Sequence, residues 1–157
     1  MTLTSEMQKL SCCGTLVGSK FPVLRLLRTE WAMSFKILVV DDSRLARMAV
    51  AKALNAVHPE WTRLEATNAD EAIALATEGS IDIALVDFNM PGRDGLVLAA
   101  ELRQMNPRMP VAVVSANHQD EVLRRAREVG ASFLMKPLTQ DALSRFLDDA
   151  LGQLSAQ

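Results

Sequence analysis

Cysteine is nearly absent from this chain: Cys12 and Cys13 are the only two, adjacent and close to the N-terminus. Neighbouring cysteines rarely bridge without strain, so a disulfide framework is excluded and a reducing, cytoplasmic setting is expected. Long apolar runs are missing as well, which leaves no membrane-spanning segment and no expected membrane partner. There is no basic excess: 17 Lys and Arg stand against 19 Asp and Glu, for a net charge of −2. Nucleic-acid binders carry a basic face, so no nucleic-acid partner is expected. Histidine is limited to His58 and His118, both read as ordinary surface residues, and no Cys or His cluster suited to zinc is present. Nor does a G-x-G-x-x-G follow the first apolar run, where Asp41-Asp42-Ser43-Arg44 stands instead, which removes a dinucleotide-binding oxidoreductase.

What is there fits one globular domain. The 157 residues are 49% apolar and 23% charged, enough length and apolar content for a proper core. Residues 1–34 differ in character from the remainder. Lys9-Leu-Ser-Cys12 has the look of a lipoprotein cleavage site, but Thr2 to Gln8 offers no apolar region before it. Phe21 to Trp31 carries Leu24, Leu26 and Leu27 with Arg25 and Arg28, a short amphipathic pattern. We read 1–34 as a flexible or dispensable extension, and Met33 as a second possible start of a domain spanning 35–157.

The remainder is organised around Asp82-Ile-Ala-Leu-Val-Asp87-Phe-Asn-Met-Pro-Gly-Arg-Asp-Gly95. Ile83 to Val86 has the composition of a strand buried on both faces, and the Pro-Gly turn stops it sharply. Four further strand signals alternate with helical ones. Phe35–Val40 closes on Asp41-Asp42, and Ser43 then caps a helix whose inward face is expected at Leu45, Ala49, Ala53 and Val57. Trp61–Ala66 is mixed in polarity and suits an edge strand. Asn68 and Glu71 form a capping box, with Gly79 as the helix stop. Asp94 caps a helix bearing Leu98, Leu102 and Met105. Pro110–Val114 closes on Ser115, and a helix with Val122, Ala126 and Val129 runs to Gly130. Ser132–Met135 closes on Lys136-Pro137, and Thr139 caps the last helix. Alternation of this kind implies an α/β fold, a five-stranded parallel sheet with helices on both faces.

In a parallel sheet all carboxyl ends lie on one edge, where open α/β folds build their sites. Asp41, Asp42, Asp87, Ser115 and Lys136 therefore converge. Each alone has an ordinary reading, as helix-dipole charge, loop hydroxyl or surface cation; together they read as a site. Crowded carboxylates suit Mg²⁺, and Lys136 and Ser115 complement a phosphoryl group. Asp87 can serve as the nucleophile, because carboxylates form acyl phosphates.

These residues carry a family resemblance. Val39-Val40-Asp41-Asp42-Ser43, Val86-Asp87-Phe88-Asn89-Met90-Pro91-Gly92-Arg93-Asp94-Gly95, Val113-Val114-Ser115-Ala116 and Phe133-Leu134-Met135-Lys136-Pro137 occur in order, and residues 35–154 resemble a response-regulator receiver domain of the CheY-like type, here in a stand-alone, single-domain form. The resemblance implies a doubly wound sheet of order 2-1-3-4-5. It implies two-component signal transduction, with Asp87 as phosphoacceptor from a histidine kinase. Asp42, Asp87 and the backbone carbonyl of Asn89 would hold Mg²⁺, with Asp41 acting through water. Ser115 and Lys136 would bind the phosphoryl group, and Phe133 would be the aromatic switch residue, here without a phenol. A cis Lys136-Pro137 bond is also implied. The implied output is a change of the face formed by the fourth helix, fifth strand and fifth helix, read by a downstream effector or a histidine phosphotransfer protein, with no turnover of an external substrate. A haloacid-dehalogenase-type phosphohydrolase needs a second Asp two residues after the nucleophile, where Asn89 stands. A module of the same fold that signals by protein–protein contact without phosphorylation remains the alternative.

Overall fold

The five β-rich runs all become strands, and their order follows from which of them are buried on both faces. A computed structural model of the chain describes residues 34–117 and 119–156. The strands are β1 (Lys36–Val40), β2 (Thr62–Ala66), β3 (Ile83–Asp87), β4 (Val111–Ser115) and β5 (Ser132–Met135); the helices are α1 (Arg44–Val57), α2 (Ala69–Glu78), α3 (Gly95–Met105), α4 (Asp120–Glu128) and α5 (Gln140–Ser155). All sheet pairings are parallel, in the order β2-β1-β3-β4-β5. The chain thus has the doubly wound, flavodoxin-like architecture expected of it. The two uniformly buried strands, β3 and β4, lie inside; the mixed β2 takes an edge.

Alternation along the strands feeds two cores. Leu38, Val40, Ala84, Val86, Val111 and Val113 face α2, α3 and α4 through Ala72, Leu98, Leu102 and Ala126. Ile37, Val39, Ile83, Leu85 and Ala112 face α1 and α5 through Leu54, Leu143, Phe146 and Leu147. Each fully buried leucine of this kind contributes roughly 1.5–3 kcal/mol. A one-residue slip of any inner strand would exchange the two cores, so the register is firmly specified.

The caps fall where the residue types place them. Ser43, Asn68, Asp94 and Thr139 each accept a backbone N–H of the following turn. The box at α2 is shifted by one residue: Glu71 reaches back to the backbone N–H and hydroxyl of Thr67 at 2.8 and 2.9 Å. Gly130 ends α4 with φ of 70°, a left-handed conformation that favours glycine. Gly79 ends α2 with φ of −138°, so that helix stops without a left-handed residue. Pro91-Gly92 turns a small ribbon pairing Asn89–Met90 with Arg93–Asp94, a feature the sequence pattern did not announce. The Lys136-Pro137 bond is cis.

One expectation is overturned. The inward face of α1 is Val50 and Leu54, while Leu45 and Met48 stand 78% and 57% exposed and Ala49 is exposed too. Leu45, Ala49 and Ala53 also recur at helical spacing, so two stripes compete. The larger, better-placed Val50 and Leu54 win the core, with Ala53 packed at its margin. The readings made for the first 33 residues and for His118 lie outside the described residues. Of the described histidine, His58 stacks on Trp61 at 4.1 Å between ring centroids and pairs with Glu60.

Candidate functional site

Because the strands are parallel, β1, β3, β4 and β5 end at one edge, and the residue following each decides what gathers there. Val40 is in register with Val86, so Asp41 and Asp87 meet side by side. Asp41, Asp42 and Asp87 each offer a carboxylate oxygen within 4.8 Å of the others. Asp41 and Asp87 are 5% and 4% exposed, and Asp42 is exposed at the mouth. From the end of β5, Lys136 reaches back 95 positions in sequence. Its Nζ lies 2.9 Å from Asp41 Oδ2 and 2.9 Å from Asp87 Oδ1. The aligned hydrogen bond goes to Asp41. Asp87 Oδ1 is buried with that ionic contact but no aligned donor.

The pocket is therefore short of positive charge. Burial raises the pKa of the Asp87 carboxyl, and the Asp41 charge adds to the rise; Lys136 and the Asn89 amide oppose it without cancelling it. Burial works against the Lys136 charge, yet its bonds to Asp41 and Asp87 prevail and raise its pKa. Three hard oxygen donors, two of them buried, with one buried oxygen lacking an aligned donor, fit a divalent cation such as Mg²⁺ and do not fit a thiophilic metal.

Ser115, Phe133 and Asn89 lie at the end of β4, within β5 and just after β3. Ser115 is fully buried at the end of β4, one residue past Val114, the register partner of Asp87. Its Oγ accepts the Asn117 N–H at 3.0 Å, which turns the following loop over the edge. Phe133 is half-buried against the core shared with α2, α3 and α4. Asn89 is exposed, with its backbone amide directed to the Asp87 carboxylate.

Three features went unnoticed in the sequence. Gly95 opens α3 directly beneath the site: a Cβ there would lie 2.1 Å from the Asp87 carbonyl oxygen. The Asp-Gly pair after the Pro-Gly turn was the available signal. Arg47 Nη1 donates to the Asp41 carbonyl oxygen at 2.7 Å; nothing in the spacing of a helical arginine announces that bond. Finally, a groove of about 540 Å³ runs from Asp41, Asp87 and Lys136 between α1 and the segment joining β5 to α5, walled by Leu45, Ala46, Ala49, Val50, Pro137 and Leu138. Exposed apolar residues beside the main stripe of α1 were its sequence trace.

With this geometry in hand, comparison with known proteins is decisive. The family model described as "Response regulator receiver domain" matches residues 37–148. The chain belongs to this family. The receiver is 38% identical over 112 residues to the sensor histidine kinase RcsC of Salmonella typhi, covering 71% of this chain and 12% of that protein. It is 34% identical over 120 residues to the glycerol metabolism activator of Pseudomonas putida, covering 73% of this chain and 54% of that one. The chain thus spans about half of one of these relatives and a small part of the other. Among solved structures, the chemotaxis protein CheY4 of Vibrio cholerae superposes with a TM-score of 0.68 at 26% identity, covering 74% of this chain and 98% of that one. Receivers are in general signalling modules rather than catalysts, although relatives carry them alongside enzymatic regions. Among the described residues no helix is long and apolar enough to cross a membrane.

Proposed function

We propose that this receiver is a phosphorylation-controlled response regulator, in which Asp87 accepts a phosphoryl group from the phosphohistidine of a histidine kinase. The single observation that carries this reading is Lys136 Nζ at 2.9 Å from both Asp41 and Asp87, closing an acidic pocket of three carboxylates at one sheet edge. Asp42, Asp87 and the Asn89 carbonyl would hold Mg²⁺, with Asp41 acting through water; when bound, the ion neutralises charge between the acceptor carboxylate and the incoming phosphoryl oxygens. The chain's own groups do the remainder. The Asp87 carboxylate attacks phosphorus, and the phosphohistidine nitrogen leaves with the bonding pair. Lys136 supplies a compact positive charge to a phosphoryl oxygen, and the Ser115 hydroxyl donates to another.

Phosphorylation replaces the single carboxylate charge of Asp87 with a doubly ionised phosphoryl group, a net gain of about one negative charge, and brings acceptor oxygens that draw Ser115 and Lys136 toward Asp87. Ser115 ends β4 and Lys136 follows β5, the strands that lead into α4 and α5, and Phe133 is on β5 in register with Val113. Movement of these donors would bias the face of α4, β5 and α5 toward a second arrangement, which a downstream effector or a histidine phosphotransfer protein reads. The groove beside the pocket, apolar along α1 and charged at its inner end, supports docking of the phosphodonor there. We place the protein in the cytoplasm and assign it no turnover of an external substrate. We also assign the receiver to residues 35–157 and the preceding segment to a dispensable extension; a chain begun at Met33 should take up phosphoryl as the full chain does.

The test is incubation with acetyl phosphate and Mg²⁺, read by intact mass. One labile phosphoryl group on the wild type and none on Asp87→Asn supports the reading. Unmodified wild type would favour the phosphorylation-independent module.

A further inference from the structure

Arg47 lies on α1, and its side chain is only 13% exposed. Nη1 donates to the backbone carbonyl of Asp41 at 2.7 Å, and Nε donates to Glu65 Oε2 at 3.0 Å. Glu65, on the edge strand β2, is held in turn by Arg63 Nε on its other oxygen at 2.9 Å. Burial works to raise the pKa of Glu65, and the bonds from Arg47 and Arg63 outweigh it and hold the carboxyl below the ordinary range. On its amide side Asp41 is tied to Ala66 O at 3.2 Å, while its Oδ1 accepts the Ser43 N–H at 2.8 Å. The turn that carries Asp41 and Asp42 is therefore gripped by β2 directly and by the Arg63–Glu65–Arg47 chain.

Resting on the functional reading above, we propose that Arg47 is a positioning residue of the cation site: it fixes the Asp41 peptide so that the Asp41 and Asp42 carboxylates are held ready for a divalent ion. Two effects of the guanidinium oppose each other. Its charge, close to a cation site, disfavours Mg²⁺. Its fork, bonding a carbonyl and a carboxylate at once, pre-orders the ligands. The bond to the turn that bears two ligands, braced by the bond to Glu65, outweighs a charge that Glu65 partly offsets. Lysine at the same place keeps the charge but has no planar fork to bridge both acceptors.

The experiment is Mg²⁺ titration by calorimetry on the full chain, with amide hydrogen exchange of Ser43 in the metal-free protein as a second readout. Arg47→Lys is expected to weaken Mg²⁺ binding by about tenfold, the lower end of losses at residues that orient metal ligands. It should also speed Ser43 exchange while amides of β3 keep their protection. Glu65→Gln, on the exposed edge strand, should give the same change to a smaller extent. Arg47→Gln should weaken binding too. If Arg47→Lys binds Mg²⁺ as the wild type does, or Arg47→Gln binds it more tightly, the guanidinium is only a nearby charge and the inference fails while the functional reading stands. If the wild type binds no Mg²⁺, both fail.

Discussion

At the scale of single residues, the site is a balance of charges that the fold holds in tension. Asp87 is ionised at a cost, because burial and Asp41 raise its pKa above the ordinary value. A carboxyl whose pKa is raised by folding stabilises the protein fully below its unfolded pKa, and that contribution is lost as pH rises through the folded pKa. At neutral pH the ionised group is therefore a liability in metal-free protein. Asp87→Asn should be more stable than wild type there, by on the order of 1–3 kcal/mol, the cost of a buried group short of partners. The gap should close as pH falls toward the ordinary carboxylate range; denaturant melts at two pH values check this. Lys136 is the internal substitute for a cation, shared between Asp41 and Asp87. Lys136→Ala should thus bind Mg²⁺ severalfold more tightly by calorimetry, yet fail to convert phosphorylation into partner binding. A normal partner response in that variant would remove Lys136 from the switch.

At the scale of elements, what matters is how closely α3 and α1 approach the edge. α3 begins on Gly95, whose amide donates to Phe88 O at 3.1 Å and whose missing side chain lets the helix start against Asp87. Gly95→Ala forces a backbone shift at that contact. It should cost about 1–3 kcal/mol in denaturant unfolding and slow phosphorylation, since overpacking here displaces the acceptor itself. α1 presents the opposite case, with Leu45 left in water beside the pocket. Leu45→Glu should leave stability and acetyl phosphate uptake unchanged while slowing transfer from a phosphorylated kinase by roughly tenfold, the loss of one docking anchor. Equal slowing with both donors would place Leu45 in the chemistry rather than in docking.

At the scale of the whole molecule, the parallel five-stranded sheet and the meeting of Asp41, Asp42, Asp87 and Lys136 were legible from strand alternation and strand-end residues, whereas the strand order came only with the resemblance to receiver domains. Those are consequences of period-two burial and of parallel topology, which a single sequence carries openly. The α1 face was not legible, because Leu45-Ala49-Ala53 and Val50-Leu54 are both helical stripes and only packing against Ile37, Val39 and α5 chooses between them. The Arg47 bond to Asp41 was hidden for a related reason: a long side chain reaching a main-chain carbonyl leaves no periodicity. The two-residue ribbon around Pro91-Gly92 is too short to leave one either. What the strand ends dictate is a chemistry that needs one acceptor carboxylate, and borohydride reduction after acetyl phosphate and Mg²⁺ treatment, followed by peptide mapping, reads which carboxylate that is. The expected result is a single reduced aspartate at Asp87; reduction at Asp41, Asp42 or Asp94, or at none, would contradict it.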